Sequence, residues 1–448
     1  MRLLPDRQNL KVAVVGFGYL GACIAATLAS CGLDVTGLDT DPSLIDEIDR
    51  GHCRLTEPGL AELIFGQQAA GRLRVTTDGS ALSTADVILI TVGTPIRDDG
   101  SLADAQLRSA CLELSRWLRQ GQLVILKSTV PPGTTRELVL PLLESSGLTG
   151  GADFGLAFTP ERLTEGTALS ELRSFPMVTG GLGAVCTQKA AEFWRRSLGI
   201  EVTEMDTLEA AEIVKLADNW WIDLNIALGN ELAKFCALHD VDVLDVISAA
   251  NTIPKGTGKV NILLPSVGVG GSCLNTDPWM VWRSARRQGV EILTAAASRM
   301  VNSGMPEYTA QLVTDALREL GKDPADAKVA VLGLAVKNNS GDLRATPTQG
   351  MVESLLKAGA DVRIFDPLMD NGQAVELFGL QPSSSLAEAV QDADCIAVLA
   401  LHKEFEDIDF AALPVAGSCL VLDGRAYYPK EKIAALARQG YVYRGIGR

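Results

Sequence analysis

Gly16-Phe-Gly18-Tyr-Leu-Gly21 follows a β-branched run, Lys11-Val-Ala-Val-Val, and opens an apolar, alanine-rich helical pattern from about Tyr19 to Ser30. No other feature restricts the fold as tightly. Strand, glycine turn and helix is the implied order, in which the first glycine makes the turn, the second admits a pyrophosphate and the third lets helix and strand approach. The next strand, Asp34-Val-Thr-Gly-Leu, leads to Asp39, 23 positions after Gly16, where an acid can bind ribose hydroxyls. A glycine turn beside a solvated aspartate is the competing reading. A carboxylate there repels the 2′-phosphate of NADP, so the expected cofactor is NAD.

The alternation continues. Asp86-Val-Ile-Leu-Ile-Thr91, Leu123-Val-Ile-Leu-Lys127 and Phe154-Gly-Leu-Ala-Phe158 add strands with helical patterns between most of them, which predicts an α/β domain with a mainly parallel sheet over 1–206. From Leu208 to His239 the pattern is one continuous helix, with Ile213, Leu216, Trp220, Leu224, Ala227 and Leu228 at three- and four-residue steps. It would span roughly 45 Å. Trp221 and Ile222 make it apolar over more than one stripe, so it should pack against two domains or a second subunit. Further helices follow to about Leu320, with a loop over 251–278. A second alternation then starts at Lys328-Val-Ala-Val-Leu-Gly333 and continues through 360–365, 394–399 and 419–423. The predicted fold is α/β: two Rossmann-like, doubly wound parallel-sheet domains (1–206 and 321–448) joined by a central helical domain (207–320) with one long helix. Gly333-Leu-Ala-Val-Lys337 lacks the full glycine set, and no second dinucleotide is assigned to it.

Composition narrows the function. A chain of 448 residues with 47% hydrophobic and 21% charged side chains can build two or three cores. Its formal charge of −15 and lack of a basic block exclude nucleic acid as an expected partner, while local cations and helix N-termini can still bind a small anion. The nine cysteines show no CxxC spacing, which predicts a reduced, cytoplasmic protein. Met1-Arg-Leu-Leu-Pro-Asp-Arg-Gln does not read as a signal peptide, no stretch reads as a membrane span, and three histidines outside the motifs argue against a histidine triad or a zinc site.

Four features carry chemistry. Pro265-Ser-Val-Gly-Val-Gly-Gly-Ser-Cys273 delivers one cysteine from a glycine-rich loop, as a nucleophile or as a small buried hydrophobe. Lys215 and Asn219 are i, i+4 on one helix face, with Asp223 extending the row; they could hold the oxygen of a reacting carbonyl, or form a solvated polar stripe. Thr129 precedes Val130-Pro131-Pro132-Gly133, and Glu161 follows Thr159-Pro160. Both stand at strand ends, where ligands of parallel sheets bind.

Taken in order, Gly16–Gly21, Thr91-Val-Gly-Thr94-Pro95, Ser128-Thr129 with Pro132-Gly133, Pro160-Glu161 with Glu165-Gly166, Lys215 and Asn219, Gly268–Cys273 with Asp277, Gly333–Lys337 with Asp342-Leu-Arg344, and Asp366-Pro367 make the chain similar to the UDP-glucose/GDP-mannose dehydrogenase family over nearly its whole length. The resemblance implies an NAD-binding domain, a central domain that forms a homodimer and a C-terminal domain that holds the nucleotide. It implies oxidation of the C6 alcohol of a nucleotide-sugar to a carboxylate with two NAD, through a thiohemiacetal and a thioester on Cys273. Lys215 and Asn219 would stabilise the oxyanion, Asp277 would assist proton transfer, and Glu161 with Thr129 would position water. Gly16, Gly18, Tyr19, Leu20, Gly21, Asp39, Thr94, Pro95, Ser128, Thr129 and Glu165 would contact the cofactor. Glu161, Arg162, Leu163, Lys215, Asn219, Lys259, Gly270, Lys337 and Arg344 would contact the substrate, Lys337 and Arg344 through phosphates or hydroxyls. Lys259 occupies the place of a family arginine that reaches into the neighbouring subunit.

Branch signals are mixed. Gly271-Ser272-Cys273 and Asp423-Gly424-Arg425 resemble the glucose-type branch, but Leu274-Asn275-Thr276 replaces its Pro-Lys before Asp277. Val260-Asn-Ile-Leu, Asp277-Pro278-Trp279 and His402 near Phe405 resemble the N-acetylhexosamine-type branch. UDP-glucose is the first expected substrate and UDP-N-acetylmannosamine the alternative. A two-electron hydroxyacid dehydrogenase and a non-catalytic NAD-binding protein are the competing functions.

Overall fold

Short apolar runs form strands buried on both faces. Val87–Ile90, Leu123–Leu126 and Gly155–Phe158 are buried at every position, as strands are when helices cover both sides of a parallel sheet. The computed structural model describes residues 10–97, 99–256 and 258–448 in two units, one up to Asp218 and one from Asn219 onward. The Met1–Gln8 stretch lies outside the described residues.

The first unit carries an eight-stranded sheet of β1 (Lys11–Val15), β2 (Asp34–Leu38), β3 (Leu73–Thr76), β4 (Val87–Ile90), β5 (Leu123–Leu126), β6 (Gly155–Phe158), β7 (Met177–Gly181) and β8 (Val202–Met205). Its order is β3-β2-β1-β4-β5-β6-β7-β8, and all neighbours are parallel except β6 with β7. Alternation along the strands builds two cores. Val12, Val14, Leu89 and Ile125 pack with Ile24, Leu28, Phe193 and Trp194 on one face, while Ala13, Val15, Ile88, Ile90 and Leu126 pack with Leu107, Leu114 and Leu143 on the other. The order of strands switches between parallel β1 and β4, and the carboxyl ends of such a pair, here beside Gly16 and Thr91, are where doubly wound sheets bind ligands.

In the second unit a small hairpin, β9 (Pro254–Lys255) with β10 (Gly258–Lys259), precedes a five-stranded, all-parallel sheet. Its strands β11 (Lys328–Leu332), β12 (Asp361–Phe365), β13 (Cys395–Val398), β14 (Leu420–Asp423) and β15 (Val442–Gly445) run in the order β12-β11-β13-β14-β15. Val243, Ile247, Val313 and Leu317 from the helical segment share one core with Val329, Val331, Leu420 and Leu422. The doubly wound α/β architecture is as predicted.

The long helix is present as Leu208–Ala237. The loop expected over 251–278 ends earlier: a helix runs from Ser272 to Arg287, so Cys273 stands in its first turn and not on a loop. Gly271, at φ +85°, turns the chain into that helix, and Pro278 lies within it. Among the described residues no helix is long and apolar enough to cross a membrane.

Candidate active site

The glycine fingerprint is a tight junction. Gly16 takes φ +94°, and a Cβ on Gly21 would lie 1.8 Å from the Gly16 carbonyl oxygen, so only glycine lets the first helix (Tyr19–Ser30) come this close. A Cβ on Gly18 would meet nothing within 4 Å, which leaves open space before a helix N-terminus that no side chain caps. Asp39 closes the far side: Oδ2 accepts from Phe17 N at 2.7 Å and Oδ1 from Asp41 N at 3.0 Å. Each oxygen keeps a lone pair for a ribose hydroxyl. These residues fit a dinucleotide: Gly18 and the uncapped helix N-terminus would take the pyrophosphate, and Asp39 a ribose. Leu20 is half-buried against the core, and the Tyr19 hydroxyl donates to Glu57, a buried acid that also accepts from Gly166 N at 2.6 Å. Glu57 carries no motif of its own, and nothing in the sequence singled it out.

At the carboxyl ends of β4 and β5, Thr94 Oγ1 donates to the Thr129 carbonyl at 2.7 Å and Ser128 Oγ to the Val92 carbonyl at 2.6 Å. Both hydroxyls thereby tie the two loops together. The Pro95 carbonyl accepts from Ala103 N at 2.8 Å. Glu161 accepts from Leu163 N at 2.7 Å, and its other oxygen lies 3.4 Å from the ammonium of Lys127. Lys127 was not anticipated: it is fully buried, over the Trp194 ring, and burial pushes its ammonium pKa below the ordinary range while Glu161 opposes that shift. Arg162 pairs with Asp218 at 2.8 Å, and Glu165 is half-buried.

The polar row of the long helix is not solvated. Lys215, Asn219 and Asp223 are 7%, 6% and 0% exposed, which removes the reading of a stripe facing water. Asn219 Nδ2 donates to Asp277 Oδ2 at 2.5 Å, and Asp277 shares the Ser272–Arg287 helix with Cys273, one turn away. Of the nine cysteines Cys273 alone is exposed, in the first turn of its helix.

A cavity of about 530 Å³ in the second unit is walled by Ile226, Leu263, Pro265, Leu274 and Tyr427, with Gly270, Lys337, Asn338 and Arg425 supplying polar groups. Gly270 and Lys337 were expected there. Arg425, Tyr427 and Asn338 were not assigned, although Arg425 lay in a motif that pointed to it. Arg425 Nη2 donates to the Val336 carbonyl at 2.6 Å and the Tyr427 hydroxyl to Asn338 at 2.6 Å, while Arg425 Nε is buried with no hydrogen-bond partner among the described residues. Arg344 is held by Asp342 through two 2.9 Å contacts, and exposed Lys259 stands on the β9–β10 hairpin; neither lines the cavity.

The second sheet repeats the aspartate lock but closes it. Asp366, after β12, accepts from Leu334 N at 2.7 Å as Asp39 does from Phe17 N, yet it is buried against His402 Nε2 at 2.9 Å. Asn339 N donates to His402 Nδ1 at 2.8 Å, so Nε2 carries the proton toward Asp366. Asp366 thus has its oxygens engaged within the protein, by Leu334 N and His402, where Asp39 is engaged by backbone N–H groups alone.

Sequence profiles of the NAD binding, central and UDP binding domains of one family match residues 10–198, 209–304 and 330–430. The chain belongs to the UDP-glucose/GDP-mannose dehydrogenase family. It is 32% identical to the UDP-N-acetyl-D-mannosamine dehydrogenase of Pyrococcus horikoshii over 98% of this chain and 99% of that one, and 33% identical to that of Salmonella typhimurium over 89% and 94%. The structure of the Pyrococcus horikoshii UDP-D-ManNAc dehydrogenase superposes with a TM-score of 0.88 at 32% identity, covering 98% and 99% of the chains. A UDP-glucose dehydrogenase from Pyrobaculum islandicum superposes with 0.86 at 29% identity, covering all of both chains. This chain is thus a nucleotide-sugar dehydrogenase that uses NAD, as expected. The relatives do not support UDP-glucose over the alternative substrate that the sequence placed second.

Proposed function

We propose that the protein oxidises the C6 alcohol of UDP-N-acetylmannosamine, or of a closely similar nucleotide-linked N-acetylhexosamine, to the uronate. The supporting observation on the chemistry is one exposed thiol, Cys273, on a helix whose next turn carries Asp277 hydrogen-bonded to Asn219. Support for the sugar comes from the relatives and from Val260-Asn-Ile-Leu, Asp277-Pro278-Trp279 and His402, which outweigh the glucose-type motifs. Arg425 and Lys337 offer positive charge to a diphosphate, and Tyr427 with the aliphatic wall offers a surface for a base or sugar ring.

Two NAD, bound one after the other, would each accept one hydride from C6. The protein's own groups do the rest. The Cys273 thiolate adds to the aldehyde carbon, forming a C–S bond, and Lys215 and Asn219 hold the oxygen that takes the negative charge. Asp277 takes up or returns the proton moving at that oxygen. Once the carbon is at the thioester level, water held by Glu161 and Thr129 adds to it, the C–S bond breaks, and the thiolate leaves with the carboxylate formed.

A homodimer through the central helical segment is part of this proposal. Trp221, Leu224, Leu228 and Phe235 follow one face of the long helix and are 52%, 37%, 50% and 60% exposed. Such a row in a large apolar patch marks an interface, and a second copy offers the same row. Assaying NAD reduction with UDP-N-acetylmannosamine, UDP-glucose and GDP-mannose tests the substrate: a kcat/KM for UDP-glucose equal to or above that for UDP-N-acetylmannosamine would reverse the assignment.

A further inference from the structure

Asn275 and Thr276 stand where glucose-type members carry Pro-Lys, between Cys273 and Asp277. The Asn275 amide donates to the Gly271 carbonyl at 3.1 Å, and its Oδ1 accepts from the Arg299 guanidinium. Arg299 is buried and donates from Nη1 to Asp223 Oδ1 at 2.6 Å. Asn302 donates to the same Asp223 oxygen at 2.8 Å and accepts from Asn230 Nδ2 at 2.9 Å; Asn230 Oδ1 in turn accepts from Ser266 N at 2.7 Å. This polar chain grips both ends of the segment before the nucleophile, Ser266 at one end and Gly271 at the other.

The segment needs such anchors. Gly268 and Gly271 take φ +139° and +85°, and glycines there give the backbone little stiffness of its own. Asp223, Arg299, Asn302 and Asn230 are buried, where water does not compete for their hydrogen bonds. An amide suits the last link because it donates to a carbonyl and accepts from a guanidinium at once. Aspartate lacks the donor, and alanine lacks both.

We propose that Asn275, oriented by the Arg299–Asp223 pair, is a positioning residue for Cys273: it pins the Gly271 carbonyl at the start of the cysteine helix and so fixes where the thiolate stands. The proposal rests on Cys273 being the nucleophile. Asn275→Ala, at a half-buried position, should lower kcat about ten-fold or more, the scale of a misplaced reacting group, with KM for the nucleotide-sugar and Kd for NAD unchanged. It should also change the rate at which iodoacetamide alkylates Cys273 in the ligand-free enzyme, located by mass spectrometry. Arg299→Lys keeps a cation against Asp223 while shortening the reach to Asn275, and should shift kcat and alkylation in the same direction with Tm preserved. Wild-type kcat and alkylation rates in both variants would overturn the inference, as would a loss of kcat matched by equal losses of NAD and sugar affinity. If iodoacetamide neither inactivates the wild-type enzyme nor labels Cys273, the nucleophile assignment itself fails, and this inference with it.

Discussion

Replacing Gly21 by alanine places a methyl carbon 1.8 Å from the Gly16 carbonyl oxygen and 2.7 Å from the Thr91 hydroxyl. Contacts below 3.0 Å do not occur for real Cβ atoms, so the first helix or the glycine turn must move by the difference between 1.8 and 3.0 Å. The obstacle is backbone, and the helix behind it is buried from Gly21 to Ala29, so the shift is resisted. Overpacking of this kind costs about 1–3 kcal/mol, and a displacement of about 1 Å at a binding element reduces catalysis on the order of 10²-fold. Gly18 supplies the contrast. It has φ −71°, and an added methyl meets nothing within 4 Å. Gly18→Ala should therefore fold with nearly the wild-type urea midpoint but bind NAD poorly, because the methyl occupies the space the pyrophosphate needs. Gly21→Ala should lose both stability and NAD affinity. Urea unfolding and NAD titration by fluorescence read the two effects separately. Wild-type stability in Gly21→Ala, or wild-type NAD affinity in Gly18→Ala, would refute the division of labour between these glycines.

Three further outcomes are expected. Asp39→Ala should lower kcat/KM for NAD and narrow its advantage over NADP; an unchanged ratio would remove Asp39 from cofactor selection. Lys215→Ala should lower kcat by roughly 10²-fold or more, the scale for losing one charge-stabilising donor, and turnover near that of wild type would return Lys215 to a packing role. Glu212 is buried on the long helix and accepts from Gly133 N, Thr135 N and the Thr135 hydroxyl, yet burial outweighs these contacts and pushes its pKa up to about 7. A raised carboxyl pKa means the folded state holds the proton longer, so this group's stabilisation is full below the unfolded pKa and is lost as pH rises toward 7, by about 3 kcal/mol. Glu212→Gln cannot ionise, so the stability gap between wild type and variant should shrink from pH 4.5 to 7.5; a constant gap would contradict the shift.

Interior strands were legible because they are apolar at every position, as in Val87–Ile90 and Leu123–Leu126. Leu73–Thr76, Val202–Met205 and Val442–Gly445 escaped notice because they lie at sheet edges, where Arg74, Thr203, Glu204 and Arg444 break the apolar run. Met177–Gly181 escaped through its two glycines. The cofactor turn was readable since its glycine spacing is dictated by backbone contact. Placing Cys273 on a loop was an error of local signals: glycines before it and Pro278 after it hid a helix start. Least legible were Lys127, Glu57 and the Asp223–Arg299 pair. Their partners lie 34 to 109 residues away in sequence, and only the fold brings them together.

The central claim is that Cys273 carries the carbon between two oxidations. NADH counted against sugar consumed, with mass spectrometry of the quenched enzyme, tests it most directly. Two NADH per sugar, an acyl mass on the Cys273 peptide, and a Cys273→Ala variant that binds sugar and NAD but forms no uronate are the predicted results. One NADH per sugar, or full uronate formation by Cys273→Ala, would contradict it.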